Sequence, residues 1–431
     1  MNIKNYTIFN EKSKQDFTNI NDTDDAVEFL KKPENFRSFS DGLVELLIRK
    51  GYSESSDNKY KMIDYLYNKL KDIGSTTTYA TVASWFSGTH QPKIESGYRK
   101  QIYEICFSMH LSLNETKWFF QHVYYDRAFN CHTIEESVFY YAIKNNIPYS
   151  EACYIIDMVT KASVPDSSTV STSNYTQFIR QKLSDLHSTD ELIHFLIQHK
   201  RNFEQWNQSA SQELQQMLLK LIPTPEGKKE IDNIKRTINR KNTVLNVIPK
   251  LSKQTGWGLI MQEFFSRIMS IEDLNYINGK NICSYTFVLE RILYTSTGLS
   301  KKQSNLPYAV YNNFPSKKTM SDVLSQSKME HSKSYDSIRK MLLLLYFYIF
   351  WIQIELGYVS NSIISTNDTD KMNPLYEIFI DETNAILYKC GYEELYAGNP
   401  YDWLFLCSAQ NKQPLEYLRS CFLALLPDMD E

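Results

Sequence analysis

Apolar residues recur every three to four positions along most of this chain, the spacing that gives a helix one buried face. Leu43, Leu46 and Leu47, followed by Lys50, run to a stop at Gly51. Met62, Ile63, Leu66, Tyr67 and Leu70 predict a second helix ending near Gly74. Val82, Trp85 and Phe86 predict a short third one that halts at Gly88, and an amphipathic helix follows over 98–110. Further helices are predicted over 114–125, 133–145 and 149–161, each opened by a Ser, Thr or Asn suited to an N-cap. Alternation with period two never persists beyond a few residues, so the fold class is all-α.

The pattern also divides the chain. Residues 1–35 are polar and mixed in charge, and read as a loosely packed arm with one short helix over 24–32. A helical domain spans 36–162. Residues 163–176 form a linker, because small hydroxyl residues with a proline cannot assemble an apolar face. The middle region, 177–300, begins with a helical pair over 175–186 and 189–199. It continues with a helix over 211–222 closed by Pro223 and Pro225, and a basic segment over 228–253. The C-terminal domain, 301–431, reads as a degenerate repeat of the first. Glu115-Thr116 and Glu382-Thr383 begin two segments that align without a gap, matching Phe120 to Leu387, Tyr125 to Tyr392 and Phe139 to Leu406. Upstream, 314–324 and 334–345 echo the short helix at 77–88 and its follower. The expected architecture is two related helical lobes, each with a helix-turn-helix-like core, joined by a helical middle. The one long apolar run, Met341 to Ile354, is short beside the ~20 residues a membrane span needs. It is expected to be a helix buried on all sides.

Composition narrows the class further. At 431 residues the chain should hold two to four domains, and 13 Gly with 13 Pro mark it as loop-poor. With 30 Tyr and 23 Phe, the core is expected to be built of aromatic rings. The net charge of −3 is unlike that of a nonspecific nucleic-acid binder, so any such contact must come from local patches. The 7 Cys are widely spaced with no C-x-x-C pair, which points to buried thiols in a reducing cytoplasm. Met1-Asn2-Ile3-Lys4-Asn5 lacks the apolar run of a signal peptide, and the expected location is cytoplasmic, with no membrane association.

The segment with the most to say about function runs from Thr77 to Pro92. If Val82, Trp85 and Phe86 lock its helix onto a core, then Thr76, Thr77, Thr78, Tyr79, Thr81 and Ser84 face outward. Hydroxyls and unpaired amides at a helix N-terminus suit phosphate oxygens, and Thr can also meet base edges. Lys93, Arg99 and Lys100 stand close enough in sequence to contact phosphate. No Arg, Gln or Asn lies within 76–84, so the side chains that most often discriminate bases are missing. In the second copy, Ser316, Lys317, Lys318 and Thr319 hold the corresponding place in a locally cationic stretch that includes Lys328, Lys333, Arg339 and Lys340. A solvated charged face explains the same residues without nucleic acid.

Residues 63–116 resemble the lambda-repressor-like DNA-binding domains of phage repressors and xenobiotic-response-element proteins. Ile73-Gly74-Ser75 stands at the family's turn, and Gly88 and Pro92 stand in the loop after the recognition helix. His110-Leu111-Ser112-Leu113-Asn114-Glu115 holds the closing segment. Near the other end, Tyr392-Glu393-Glu394-Leu395-Tyr396 precedes Asn399-Pro400-Tyr401-Asp402-Trp403, a helix end and restart with Asn399 as N-cap and Pro400 at the first helical position. Such strings are similar to those of helix-turn-helix-containing proteins of gut Clostridia. Those strings supply no mechanism, and Trp403, Leu404 and Leu406 there fit a core. The repressor-like resemblance of 63–116 implies a non-catalytic DNA-binding protein, a transcriptional regulator whose partner is double-stranded DNA. Two units in one chain would span two half-sites as a homodimer does. The alternative is an interaction adaptor of a mobile-element or defence system, with a protein partner.

No other constellation competes. His187, His194 and His199 do not share one helix face, and no ligand pair accompanies His122 and His132, so no metal site is expected. Asp381, Glu382, Glu393 and Glu394 make an acidic region better read as a solvated face than as paired catalytic carboxylates. There is no Gly-rich phosphate loop, G-x-S-x-G or H-E-x-x-H, so neither an enzyme nor a cofactor is expected.

Overall fold

The computed structural model describes residues 22–53, 58–92, 96–163, 175–204, 306–315, 335–355 and 374–425, apart from 130 and 132. It also describes single positions near 17–20, 210–217 and at 323. Among these residues every regular element is a helix, as the periodicity requires. Of the predicted helix at 211–222, positions 212–214, 216 and 217 are described and are helical, with Leu214 and Met217 buried; the rest of it, the basic segment at 228–253 and most of the linker lie outside the described residues.

Local signals set the N-terminal helices. Helix α1 (Thr23–Lys31) starts at Asp22, whose carboxylate accepts the Asp25 amide at 2.9 Å. Helix α2 (Phe39–Arg49) starts at Ser38 and α3 (Lys59–Asp72) at Asn58, each side chain accepting a first-turn amide. Then come α4 (Tyr79–Ser87), α5 (Ser96–Ser108) and α6 (Leu113–Phe119), the last opened by a reciprocal Ser112–Glu115 capping box. The predicted stops at Gly51, Gly74 and Gly88 all have positive φ, the left-handed conformation glycine adopts without strain.

The helix predicted over 114–125 is not a continuous α-helix. After Phe119 it widens into a π turn, Phe120–Tyr124, ending at Tyr125 with φ 60°. There Val123 packs on the backbone of Gly42, and a Cβ at position 42 would collide with it. Helices α7 (Ile134–Asn145), α8 (Tyr149–Lys161), α9 (Tyr175–Asp185), α10 (Thr189–Gln198) and α11 (Lys200–Glu204) follow. Thr133 caps α7 as expected, and Ser188 caps α10. Helix α8 corrects the expectation, since its N-cap is Pro148, which has no side-chain oxygen to offer. The C-terminal elements are α12 (Tyr308–Tyr311), α13 (Tyr335–Glu355), α14 (Pro374–Lys389), α15 (Pro400–Gln410) and α16 (Pro414–Ala424).

Buried apolar side chains gather in two clusters. The first runs from Phe39 to Phe203 around Trp85, Tyr103, Phe120 and Phe129, and includes Leu183 of α9 and Leu196 of α10. The second holds α13 through α16. Every residue from Met341 to Trp351 is buried, so α13 is apolar all round because it is covered all round. Among the described residues no helix is long and apolar enough to cross a membrane.

The arm reading needs correction over 22–35. Ala26 and Leu30 of α1 are wholly buried in the second cluster, and Phe29 stacks on Trp403 with ring centroids 4.5 Å apart. Tyr417 clamps the helix start by donating to the Asp22 carbonyl at 2.7 Å. The helix was legible from its period; its burial was not, because Trp403 lies at the opposite end of the sequence.

One bonding pattern appears in both clusters. Arg99 of α5 reaches Glu136 in the first turn of α7 and the Arg127 carbonyl at 2.7 Å. Arg339 of α13 reaches Asp402 in the first turn of α15 and the Glu394 carbonyl at 3.3 Å. Thr116 and Thr383, matched in sequence, are both buried.

Candidate nucleic-acid interface

Six residues join α3 to α4, and each part of this connection has a local cause. Helix α3 ends with the Gly74 amide bonded to the Lys71 carbonyl at 2.9 Å and the Ser75 amide bonded to Leu70 at 3.0 Å. Gly74, at φ 79°, makes that reversal possible. Helix α4 opens at Thr78, whose hydroxyl accepts the Thr81 amide at 3.2 Å, and closes at Gly88. Val82, Trp85 and Phe86 are at most 1% exposed. Burial of this kind is worth roughly 1.5–3 kcal/mol per large apolar side chain. Trp85 meets Phe39 edge to face at 6.0 Å, and Ser40 donates to the Phe86 carbonyl at 2.8 Å, so α2 fixes the inner face of α4. The predicted anchor is in place.

The outer face is uncovered. Thr76, Thr78, Tyr79 and Ala80 are exposed, while Thr81 and Ser84 are half-buried. Several of its hydroxyls already have local partners: Thr78 and Thr81 share a bond at 2.8 Å, and Ser84 donates to the Thr81 carbonyl at 2.7 Å. Tyr79 donates to Asp64 of α3 at 2.9 Å, a bond that raises its phenol pKa, and its ring stands edge-on to Tyr67.

Two expectations fail. Thr77 is not on the outer face; it is buried, and its hydroxyl donates to Glu104 at 3.1 Å. Arg99 is not a phosphate ligand. It is buried, with Nε 2.6 Å from Glu136 and Nη1 paired with Asp126. Burial alone would weaken its charge, but the two carboxylates override that and hold its pKa well above the ordinary value. Spacing gives the reason: Arg99 lies on the same helical stripe as Ile102 and Cys106, which are both wholly buried. Lys100, one residue on, is exposed. Lys93, Ser316, Lys317, Lys318 and Thr319 lie outside the described residues.

Glu104, which sequence reading passed over, organises the turn. Its Oε2 accepts from Ser75 at 2.6 Å and from Thr77, and its Oε1 accepts from Tyr149 of α8 at 2.9 Å. All four residues are buried. The carboxylate ties α5, α8 and the approach to α4 into one unit. Burial first, then this neighbouring carboxylate, push the Tyr149 phenol up. The missed signal was weak, because α5 is buried on all sides from Ile102 to Met109 and gives a charged residue no distinctive phase.

Cys106, Cys131, Cys390, Cys407 and Cys421 are buried free thiols, and Cys153 is half-buried. No group of three or more His, Cys, Asp or Glu among the described residues could hold a metal ion. In comparisons with protein-family models, curated proteins and solved structures, nothing matches this chain.

Proposed function

We propose that this chain is a non-catalytic, cytoplasmic DNA-binding regulator that lays the outer face of α4 against a duplex. One observation carries the reading. A nine-residue helix anchored by Val82, Trp85 and Phe86 leaves Thr76, Thr78, Tyr79 and Ala80 in solvent, next to its amide-bearing N-terminus. That is the geometry by which a helix-turn-helix enters a major groove. With Arg99 turned inward, Lys100 is the predicted phosphate contact that stays exposed among the described residues, and the first-turn amides of α4 add to it. The expected affinity is modest, and specificity would come from hydroxyl and methyl contacts.

A second reading, a protein-interaction adaptor, draws on the chemistry of the same face. Tyr60 is 77% exposed, Tyr79 is tied to the Asp64 carboxylate, and Thr76 and Thr78 are exposed beside Tyr79 in the chain. Tyr with Ser and Thr is the composition of surfaces that bind proteins with rigid aromatic anchors. Gel-shift series on genomic fragments across salt separate the two. A regulator's complex weakens steeply with salt and survives competitor DNA, whereas an adaptor shows neither behaviour.

A further inference from the structure

Where the two buried clusters meet, the surface opens into a cleft of about 390 Å³. That lies within the ~300–1,000 Å³ range of small-molecule sites. One wall belongs to the first cluster: Lys117 of α6, Gln121 of the π turn, and Arg127. The other is the loop between α14 and α15, with Glu393, Glu394 and Leu395. The walls are joined at the base. Asn399 donates to the Tyr125 carbonyl at 3.1 Å, and the Tyr396 hydroxyl bonds His122 Nδ1 at 2.7 Å. The cleft is therefore built into the contact between the clusters.

Its floor is already satisfied. Arg339 makes a two-pronged pair with Asp402, both bonds at 2.7 Å, and Arg127 Nε donates to the Phe129 carbonyl at 2.9 Å. The rim differs. Lys117 and Gln121 on one wall and Glu394 on the other are exposed, and neither the Lys117 ammonium nor the Glu394 carboxylate has a bonded partner. Arg127 and Glu393 pair across the gap at 3.9 Å, while Lys117 and Glu394 leave opposite charges on opposite walls with no bond between them. Between them, half-buried Leu395 and Tyr396 offer an apolar strip.

We propose that this cleft binds a short zwitterionic peptide, its C-terminal carboxylate at Lys117 and Gln121, its N-terminal ammonium at Glu394, and its side chains against Leu395 and Tyr396. A simple anion is disfavoured by Glu393 and Glu394, and a simple cation by Lys117 and Arg127. A ligand charged at both ends satisfies both walls at once. The site is independent of α4, and its test does not involve DNA.

The test is calorimetric titration of the full chain with the tripeptide Ala-Leu-Ala, its N-acetyl form and its C-terminal amide. Saturable one-to-one binding of the free tripeptide is expected. Each cap should weaken it about tenfold or more, the order of one charge-assisted hydrogen bond. Lys117→Glu should weaken the free peptide and abolish the penalty for the amide; Glu394→Lys should abolish the penalty for acetylation. Both positions are on the exposed rim, and unchanged thermal melts would show that each variant folds. Absence of saturable binding, equal binding of the capped peptides, or variants that bind like the parent would each overturn the proposal.

Discussion

Thr77 turns away from the outer face of α4 and donates its hydroxyl hydrogen bond to Glu104, 3.1 Å away and buried beneath the turn. The same carboxylate receives Ser75 and Tyr149, so one side chain holds three buried hydroxyls from two other parts of the chain. Glu104→Ala removes their acceptor and leaves them in an apolar setting. The expected loss is at least about 3 kcal/mol, given ~1–3 kcal/mol for each buried polar group left unpaired. Glu104→Gln keeps an acceptor and should cost less. Urea midpoints decide the matter: a Glu104→Ala midpoint equal to that of the parent removes Glu104 from its assigned role.

Thr76 and Thr78 are neighbours of one type with different work. Thr78 caps α4, so Thr78→Ala should cost about 1 kcal/mol, the usual value of an N-cap. Thr76 is exposed, and Thr76→Ala should stay within about 0.5 kcal/mol, as surface changes generally do. Thermal melts of the two variants should differ in that order; a reversed order would mean that the helix starts elsewhere.

Arg99 carries an ion-pair network in which it and both carboxylates are under a tenth exposed. Arg99→Met strands Asp126 and Glu136 and should destabilise by about 3–5 kcal/mol, the range for removing one partner of a buried pair. Lys100→Met, at an exposed position, should leave stability nearly unchanged. Chemical denaturation of both variants checks this, and similar midpoints would deny the burial of Arg99.

Alkaline pH should destabilise the fold through its thiols. Burial pushes Cys390 and Cys407 up to about 12, against about 8.5 for an unfolded thiol. A folded-state value above the unfolded one gives stability that is complete below about pH 8.5 and shrinks as pH climbs toward 12. Melting temperature should therefore fall over that interval, and less so in a Cys390→Ala, Cys407→Ala double variant. At neutral pH an alkylating reagent should mark Cys153 before any of the five buried thiols; prompt labelling of Cys407 would contradict its burial.

Local signals in the sequence carried much of this structure. Gly74 and Gly88 stop their helices, Asn399-Pro400 starts α15, and the run from Met341 foretold a helix covered on every side, because caps, φ preferences and period act over a few residues. What could not be read depended on distant partners. In Thr76-Thr77-Thr78 three identical side chains take different directions, and the middle one is decided by a carboxylate on another helix. Arg99 looked like a surface cation until Asp126 and Glu136 arrived from beyond the next helix. The short helix at 24–32 kept its predicted place, while Trp403, far along the chain, turned it from an arm into part of a core.

The placement of α4 against a duplex is tested most directly by charge. Thr76→Glu with Ala80→Glu puts two carboxylates on the exposed face and avoids Thr77, whose burial would make any substitution there a folding experiment. Fluorescence anisotropy on a duplex recovered by the parent protein from genomic fragments is the measurement, repeated across salt concentrations. The expected result is a loss of at least about tenfold in affinity, one unit of 1.4 kcal/mol, with unchanged far-ultraviolet circular dichroism. Undiminished binding by the double variant, with the parent's salt dependence intact, would contradict the assignment of α4 as the helix that meets DNA.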